Sequence, residues 1–445
     1  MALQSVSTDP RSALPRTAFR PWYAWTVFAL TFGLMLSDYM TRNVISAVFP
    51  LLKKEWALND GQLGALVSVV ALVVGLASWP VALLADRWGR VKSITAMAAL
   101  WCLATIGCGI SQNHTQMLVA RGLVGLGEAG YGSAGGAILA YVFPPQMRAM
   151  ILGAFLAAAL FGSVLGVAIG GVVAASYGWR IAFIAVGAAS LMLVVLYPLI
   201  VRDYPTVALS SVDRAATGDA RKPGLRGILR ELFFARSAIF TFVGSGLQMF
   251  IVGVISAWIP SFLSREYGLP ADQAALKAAL VVLVAGVGMI VGGALADQLA
   301  RRSARHKLFA PASYAFITFA LLTTAFSLPA GSAQMAFLFA GVLLAGAHSG
   351  VAGAVIADVT HPGLRATALA TVVLFNNLLG LAPGPFFVGV VSDMTSLKTA
   401  LVIAPAASLL AGVCFLLAAR SYSADRLRFH VEGEAAAQPA PTPVH

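Results

Sequence analysis

Charged residues are scarce in this chain. Asp, Glu, Lys and Arg make up 11% of its 445 residues, against roughly 25% in soluble domains, which excludes an ordinary soluble fold. Cysteine is nearly absent: Cys102, Cys108 and Cys414 all lie in apolar runs, without metal-ligand spacing or a disulfide framework, and read as small core hydrophobes. No G-x-x-x-x-G-K-[ST] sequence occurs, so no ATP-binding loop supplies energy. Histidine is limited to six residues, half of them in loops or the tail, which argues against a metal-dependent or nucleophilic lipid enzyme. The first 21 residues carry Arg11, Arg16 and Arg20 and lack the apolar core of a cleavable signal.

Apolar sequence is plentiful. Hydrophobic residues reach 59% and the mean hydropathy is +0.84. A membrane-spanning helix needs about 20 mainly apolar residues, and such runs occupy 64 to 85, 93 to 113, 149 to 179, 181 to 201, 237 to 264, 278 to 296, 366 to 392 and 399 to 419. The stretch from Leu308 to Ala357 has no Asp, Glu, Lys or Arg and turns at "SLPAGSAQ", so it counts as two spans. Two more, near 22 to 50 and 115 to 143, are interrupted by charge, and the total is twelve. None of these runs alternates apolar and polar residues like a barrel strand, so the fold class predicted is all-α and integral to the membrane.

The net charge of +12 is explained by topology. With the N-terminus in the cytoplasm, 22 of the 30 Lys and Arg fall on the inner side, six on the outer side, and two, Arg42 and Arg121, inside spans. This bias follows the positive-inside rule and places both termini in the cytoplasm. The interleaved basic and aromatic residues of a nucleic-acid site are missing.

The chain divides into a cytoplasmic leader (1–21), a six-span bundle (22–201), a cytoplasmic linker (202–236), a second six-span bundle (237–419) and an Ala- and Pro-rich tail (420–445) expected to be disordered. The linker carries a candidate surface helix, "LRGILRELFF". "PVALLADRWGR" after span two matches "VGGALADQLARR" after span eight, placing Asp86 and Asp297 211 residues apart. "PPQMRAMILG" after span four matches "HPGLRATALA" after span ten, placing Arg148 and Arg365 217 apart. Two matches at nearly one offset imply a parallel repeat of two six-helix bundles about an axis normal to the membrane.

"ADRWGR" with its copy "ADQLARR", "RGLVGLGEA" in span four, "GSVLGVAIGG" in span five and "GWRIAF" opening span six resemble the signature set of the major facilitator superfamily. Within it, "SDYMTRNVISAVFPLLKKEW" and "RGLVGLGEAGYGSAGGAILAYVFPPQMRA" most resemble the Spinster family. The resemblance implies a transporter, not an enzyme, working by alternating access as a monomer. It further implies proton-linked movement of lysolipid or sphingoid-type amphiphiles. Organic-anion symporters of the same superfamily carry related span-one patterns and give the alternative substrate class, an anionic small molecule. No cofactor is expected; the coupling ion is the proton.

An ionised side chain at the bilayer centre costs at least ~2.5 kcal/mol and persists when paired or when it lines water. Asp38 and Arg42 are four residues apart on one helical face, and Arg121 and Glu128 are seven apart on another, with Tyr131 three beyond. Span one runs outward and span four inward, so both acids fall near mid-membrane, with Arg42 roughly 6 Å and Arg121 roughly 10 Å farther out. Two acids and two bases sum to zero, as expected of a buried compensating network beside a wet cavity. A static cluster joining spans one and four is the competing reading. Glu128 is the leading proton carrier and Asp38 the second, with Arg42 and Arg121 as exchanging partners.

The second bundle has no charged residue at mid-span. Its candidate cavity residues are Gln248, Trp258, His348, Asn376 and Asn377, joined from the first bundle by Tyr39 and Tyr131; simple packing between helices competes for each. At the inner surface, Asp86, Arg87, Arg90, Arg148, Asp297 and Arg365 are the candidate cytoplasmic gate, with carboxylates accepting from a neighbouring helix N-terminus or an arginine when the halves close. Gly162, Gly166 and Gly170 form a small-residue stripe on span five, suited to close helix approach.

Overall fold

The computed structural model describes residues 20–202, 230, 232–300, 306–360 and 364–437. Every regular element among them is helical, and the helices make twelve passes. Ten are long and apolar enough to cross a bilayer. The other two are the charge-bearing ones: Pro21–Trp56, span one, and the pair His114–Glu128 and Tyr131–Val142, span four.

Span two is Asp60–Trp88, span three Arg90–Ile110, span five Pro145–Tyr177 and span six Trp179–Ile200. The second bundle holds span seven (Arg236–Tyr267), span eight (Ala271–Ala300), span nine (His306–Ser327), span ten (Ser332–Gly346 with Ser349–Asp358), span eleven (Arg365–Phe375 continuing through a π-helical turn, Asn376–Leu381, into Pro383–Met394) and span twelve (Leu397–Ile403 with Ala406–Ala437). The last helix runs on to Ala437, through a segment rich in Ala, Arg and Glu, all good helix formers; the rest of the tail expected to be disordered, 438–445, lies outside the described residues. Most of the linker, including most of "LRGILRELFF", lies outside the described residues.

The passes begin and end at one face of the bundle, here the terminal end. There the Arg202 amide donates to the Tyr23 hydroxyl at 2.9 Å, and Asp425 in span twelve accepts from the Ser237 amide and hydroxyl at 2.9 and 2.6 Å. The opposite face is the far end. Apolar packing differs between the two. At the far end one continuous core draws on both halves, from Phe49 and Leu66 in the first to Trp258, Phe262 and Val388 in the second. Toward the terminal end two cores separate, one confined to the first bundle around Trp101, Tyr131 and Phe155, the other to the second around Phe242, Val355 and Phe415. The halves are therefore fused by burial at the far end, where most of the contact energy between them resides.

The expected stripe on span five is packed against span one: a Cβ at Gly162 or Gly166 would strike the backbone carbonyl of Leu36 or Met40. The opening of span six is pinned to the end of span one, beyond the apolar stretch. Glu55 accepts from Trp179 Nε1 at 2.6 Å and from Arg180 at 2.5 Å, and the Arg180 guanidinium lies 4.2 Å from the Trp179 ring centre. Burial alone pushes the Glu55 carboxyl up, and the hydrogen bonds from Trp179 and Arg180 outweigh it, holding it below its ordinary value of 4.5. A depressed folded-state pKa contributes stability that is present above the unfolded value and lost as pH falls through the folded one. Thermal unfolding should therefore show the parent losing a stabilising increment as pH falls from about 4.5, whereas Glu55→Gln should lack that increment at pH ~7 and lose correspondingly less on acidification.

Candidate functional site

Span four is where the fold departs from a plain bundle. Its first helix stops at Glu128, and a second starts at Tyr131 after Ala129 and Gly130. Close packing precedes the break: a Cβ on Gly125 would meet the Val70 carbonyl of span two at 2.7 Å, and one on Gly127 the Trp101 amide of span three at the same distance. The glycines let span four sink between its neighbours, carrying Arg121 and Glu128 to the interior.

The four charges are distributed as two different devices. Arg42 Nε and an Nη donate to one oxygen of Glu128, Oε2, at 2.9 and 2.7 Å. Asp38 and Glu128 lie close enough for their carboxyl groups to interact directly. One oxygen of each acid, Asp38 Oδ1 and Glu128 Oε1, is buried without a hydrogen-bond partner. Arg121 stands apart from this group. It is fully buried and donates to three backbone carbonyls, Leu66 of span two at 3.0 Å, Thr41 at 3.2 Å and Arg42 at 3.1 Å. In this arrangement Arg42 bonds Glu128, and Arg121 braces spans one, two and four through their peptide groups.

Arg42 also faces a cavity of about 290 Å³ between the halves. Most of its polar lining comes from the first bundle, with Tyr39, Arg42, Asn43, Ser46 and Ser163; the second bundle adds Ser256 and Ser349 beside the apolar Met249, Val252, Val282 and Met289. Arg42 is the charged residue of this lining, and its guanidinium carbon lies 5.4 Å from the Tyr39 ring centre. Asn43 donates to the Tyr39 carbonyl at 2.8 Å and to the Ser163 hydroxyl at 3.2 Å, tying spans one and five along the same wall.

Of the seven residues expected at the cavity, Tyr39 lines it. The other six are held in the packing. Tyr131 is fully buried, donates to the Thr31 carbonyl at 2.6 Å and packs on Trp101. Trp258 donates to the Pro385 carbonyl at 3.0 Å and stacks on Phe49 across the halves. Gln248 and His348, both fully buried, converge on the Ala345 carbonyl at 3.5 and 3.0 Å. Asn376 accepts from Ser245 at 2.7 Å, and Asn377 donates to the Val373 carbonyl at 2.9 Å, both within the π-helical turn of span eleven.

His348 marks a second break, between the two helices of span ten. Gly130 and His348 occupy equivalent places 218 residues apart, within one residue of the Arg148–Arg365 offset. The repeat thus extends to the interruptions themselves. By that register the counterpart of Glu128 is Gly346, so the break in the second bundle carries no acid.

At the terminal end, the side chains of Asp86, Arg87, Asp297 and Arg365 lie outside the described residues. Arg148 is exposed and donates to the Phe143 carbonyl at 3.3 Å, within its own turn. Arg90 opens span three and is partly buried. At the far end, a cluster that includes Lys53 and Arg265, two of the six outer Lys and Arg, joins the halves. Asp60 accepts from Lys53 at 2.6 Å, from both Nη atoms of Arg265 at 2.7 Å and from Ser392 at 2.5 Å.

Comparison with known proteins places this geometry. The family profile of the Major Facilitator Superfamily matches residues 30–385. An MFS-type efflux pump of Mycolicibacterium smegmatis is 30% identical over 91% of this chain and 94% of its own length. Protein spinster homolog 1 of Homo sapiens is 27% identical over 94% of this chain and 85% of its own. Among solved structures, a bacterial homolog of the human lysosomal transporter Spinster, inward-facing and unoccupied, superposes with a TM-score of 0.81 at 21% identity, covering 92% of this chain and 99% of its own.

Proposed function

The chain belongs to the major facilitator superfamily, and from its similarity to Spinster proteins we propose that it is a proton-coupled secondary active transporter of Spinster type for a small amphiphilic organic anion. The reading sets the terminal end in the cytoplasm of a bacterial inner membrane, as the Lys and Arg distribution favours. Both termini are then cytoplasmic, the far end faces outward, and the working unit is one chain.

One observation carries the reading: Arg42 faces the cavity while its guanidinium is engaged by Glu128. A proton arriving at Glu128 and an anion arriving in the cavity address the same cation. With Glu128 ionised, Arg42 is neutralised from behind and the cavity has little attraction for an anion. With Glu128 protonated, Arg42 is free to receive a carboxylate, phosphate or sulfonate. Proton and anion thus load together, and neither loads well alone. Asp38 interacts with Glu128, and two neighbouring buried carboxyl groups leave room for one shared proton. One proton with one monovalent anion moves no net charge, so the membrane potential adds nothing, and each pH unit, worth about 1.4 kcal/mol, supports about ten-fold accumulation.

Cavity size favours a small solute over a full lysolipid. At about 290 Å³ the space sits at the lower edge of the roughly 300–1,000 Å³ usual for small-molecule sites. Its split lining suits an anionic head on the Arg42 side and an apolar body against Met249, Val252, Val282 and Met289. A thermal-shift panel of monocarboxylates, sugar acids and lysophospholipids, run on the purified transporter at acid and neutral pH, tests this. Stabilisation by a small acid, larger at acid pH, is expected. Stabilisation by lysophospholipids alone would return the substrate to the lipid class, and stabilisation by small acids independent of pH would remove the proton from binding.

A further inference from the structure

At the far end, two carboxylates interlock the halves. Span two starts at Asp60, and its first backbone N–H groups have no intrahelical acceptor. Asn59 and Gln62 form a capping box that serves the third position. The amides of Asp60 and Gly61 are served from the other half: they donate to Asp393 Oδ1 and Oδ2, each at 2.7 Å. The side chain of Asp60 reaches the opposite way, accepting from Arg265 at the end of span seven and from Ser392, the neighbour of Asp393 on span eleven. Five hydrogen bonds therefore cross between the halves at this point, four of them involving a carboxylate and a cation or an oriented helix terminus. Asp60 itself is 2% exposed.

The partners are divided unequally. Lys53 belongs to span one and contacts Asp60 from the same half, at 2.6 Å. When the far end opens, Lys53 can remain with Asp60 and keep its buried charge compensated, while Arg265, Ser392 and Asp393 leave together on the second bundle. The opened state then exchanges five fixed hydrogen bonds for hydrated groups without stranding an unpaired carboxylate on span two. That makes the cluster reversible, unlike the apolar Phe49–Trp258 contact, which gains nothing from water.

We propose that the Asp60–Arg265–Ser392–Asp393 interlock is the latch that holds the far end shut and sets the resting distribution between the two facing states, with Asp60 and Asp393 as separately removable catches.

The test is two-sided cysteine labelling of the full-length transporter. Ser256→Cys places a reporter on the cavity wall, and the parent without it gives the background from Cys102, Cys108 and Cys414. Lys54→Cys, at an exposed far-end position, identifies in a separate sample which compartment the far end faces, so an inverted topology is read apart from a failed latch. A membrane-impermeant maleimide is added to intact cells or to inside-out vesicles. Asp60→Asn and Asp393→Asn should each raise reporter labelling from the far-end compartment about five-fold or more and lower it from the terminal side, as a shift between two states requires. Ser392→Ala, which removes one hydrogen bond and no charge, should give a smaller change of the same sign, about two-fold. Unchanged far-end labelling in all three variants overturns the latch. A rise from both sides at once also overturns it, since that reports loosened packing and not a redistributed equilibrium.

Discussion

Glu128→Gln is expected to leave a folded transporter that still exchanges solute across the membrane but no longer accumulates it against a gradient. Glutamine keeps the shape of the side chain and an oxygen for the two Arg42 donors that reach Glu128 Oε2 at 2.9 and 2.7 Å. Its amide can face Asp38, where Glu128 Oε1 has no partner, so burial is not made worse. What it cannot do is take up and release a proton. Each pH unit of driving force is worth about 1.4 kcal/mol, or about ten-fold in accumulation, and the variant should lose that factor entirely. Proteoliposomes separate the two properties, with counterflow under equal pH reporting exchange and uptake under an imposed pH difference reporting coupling. The expected pattern is retained counterflow, with accumulation reduced about ten-fold or more at one pH unit. Accumulation equal to that of the parent would remove Glu128 from the proton path. If Asp38→Asn alone produced the pattern expected of Glu128→Gln, the carrier would be Asp38.

The fold was legible in the sequence because membrane burial imposes a coarse constraint on composition. An apolar run of about 20 residues has few alternatives to a spanning helix, and matching loop motifs around Asp86 and Asp297 exposed the two-bundle repeat. The site was legible only where it involved side-chain charge at an inferable depth, as for Asp38, Arg42 and Glu128. Arg121 could be seen as buried, but its acceptors are the carbonyls of Leu66, Thr41 and Arg42, and every residue type carries a carbonyl. No letter of the sequence distinguishes those three. The cavity polar groups proposed for the second bundle failed for a related reason. Gln248, Trp258 and His348 are polar residues in apolar spans, and such residues must find an acceptor somewhere. Pattern alone does not say whether the partner is a solute or the neighbouring backbone, and here each bonds a carbonyl of span ten or eleven. The far-end latch was hidden by position: Asp60 opens span two, where a carboxylate is ordinary, Asp393 lies in the last turn of span eleven, and their mutual geometry depends on how the halves meet.

Arg121 should behave as a structural brace, in contrast to Arg42 and Glu128. It is fully buried, in a setting where the penalty for burying an ion is several kcal/mol even after relaxation. Three carbonyl dipoles from spans one and two, at 3.0 to 3.2 Å, offset that penalty. Hydrogen bonds to charged groups contribute about 1.5–3 kcal/mol each, and the removed volume leaves a cavity of its own. Arg121→Ala is therefore expected to cost more than ~3 kcal/mol and to lower the apparent melting temperature of the purified protein by on the order of 10 °C. Arg121→Lys should recover little, because an ammonium lacks the planar fork that reaches carbonyls on two helices. Combining Arg121→Ala with Glu128→Gln separates brace from ion pair. If Arg121 serves the backbone, its loss costs nearly as much in the Glu128→Gln background as in the parent, with a coupling within about 0.5 kcal/mol. If instead it serves the carboxylate, Glu128→Gln should relieve much of the defect, and a coupling above about 1 kcal/mol would return Arg121 to the proton-handling group.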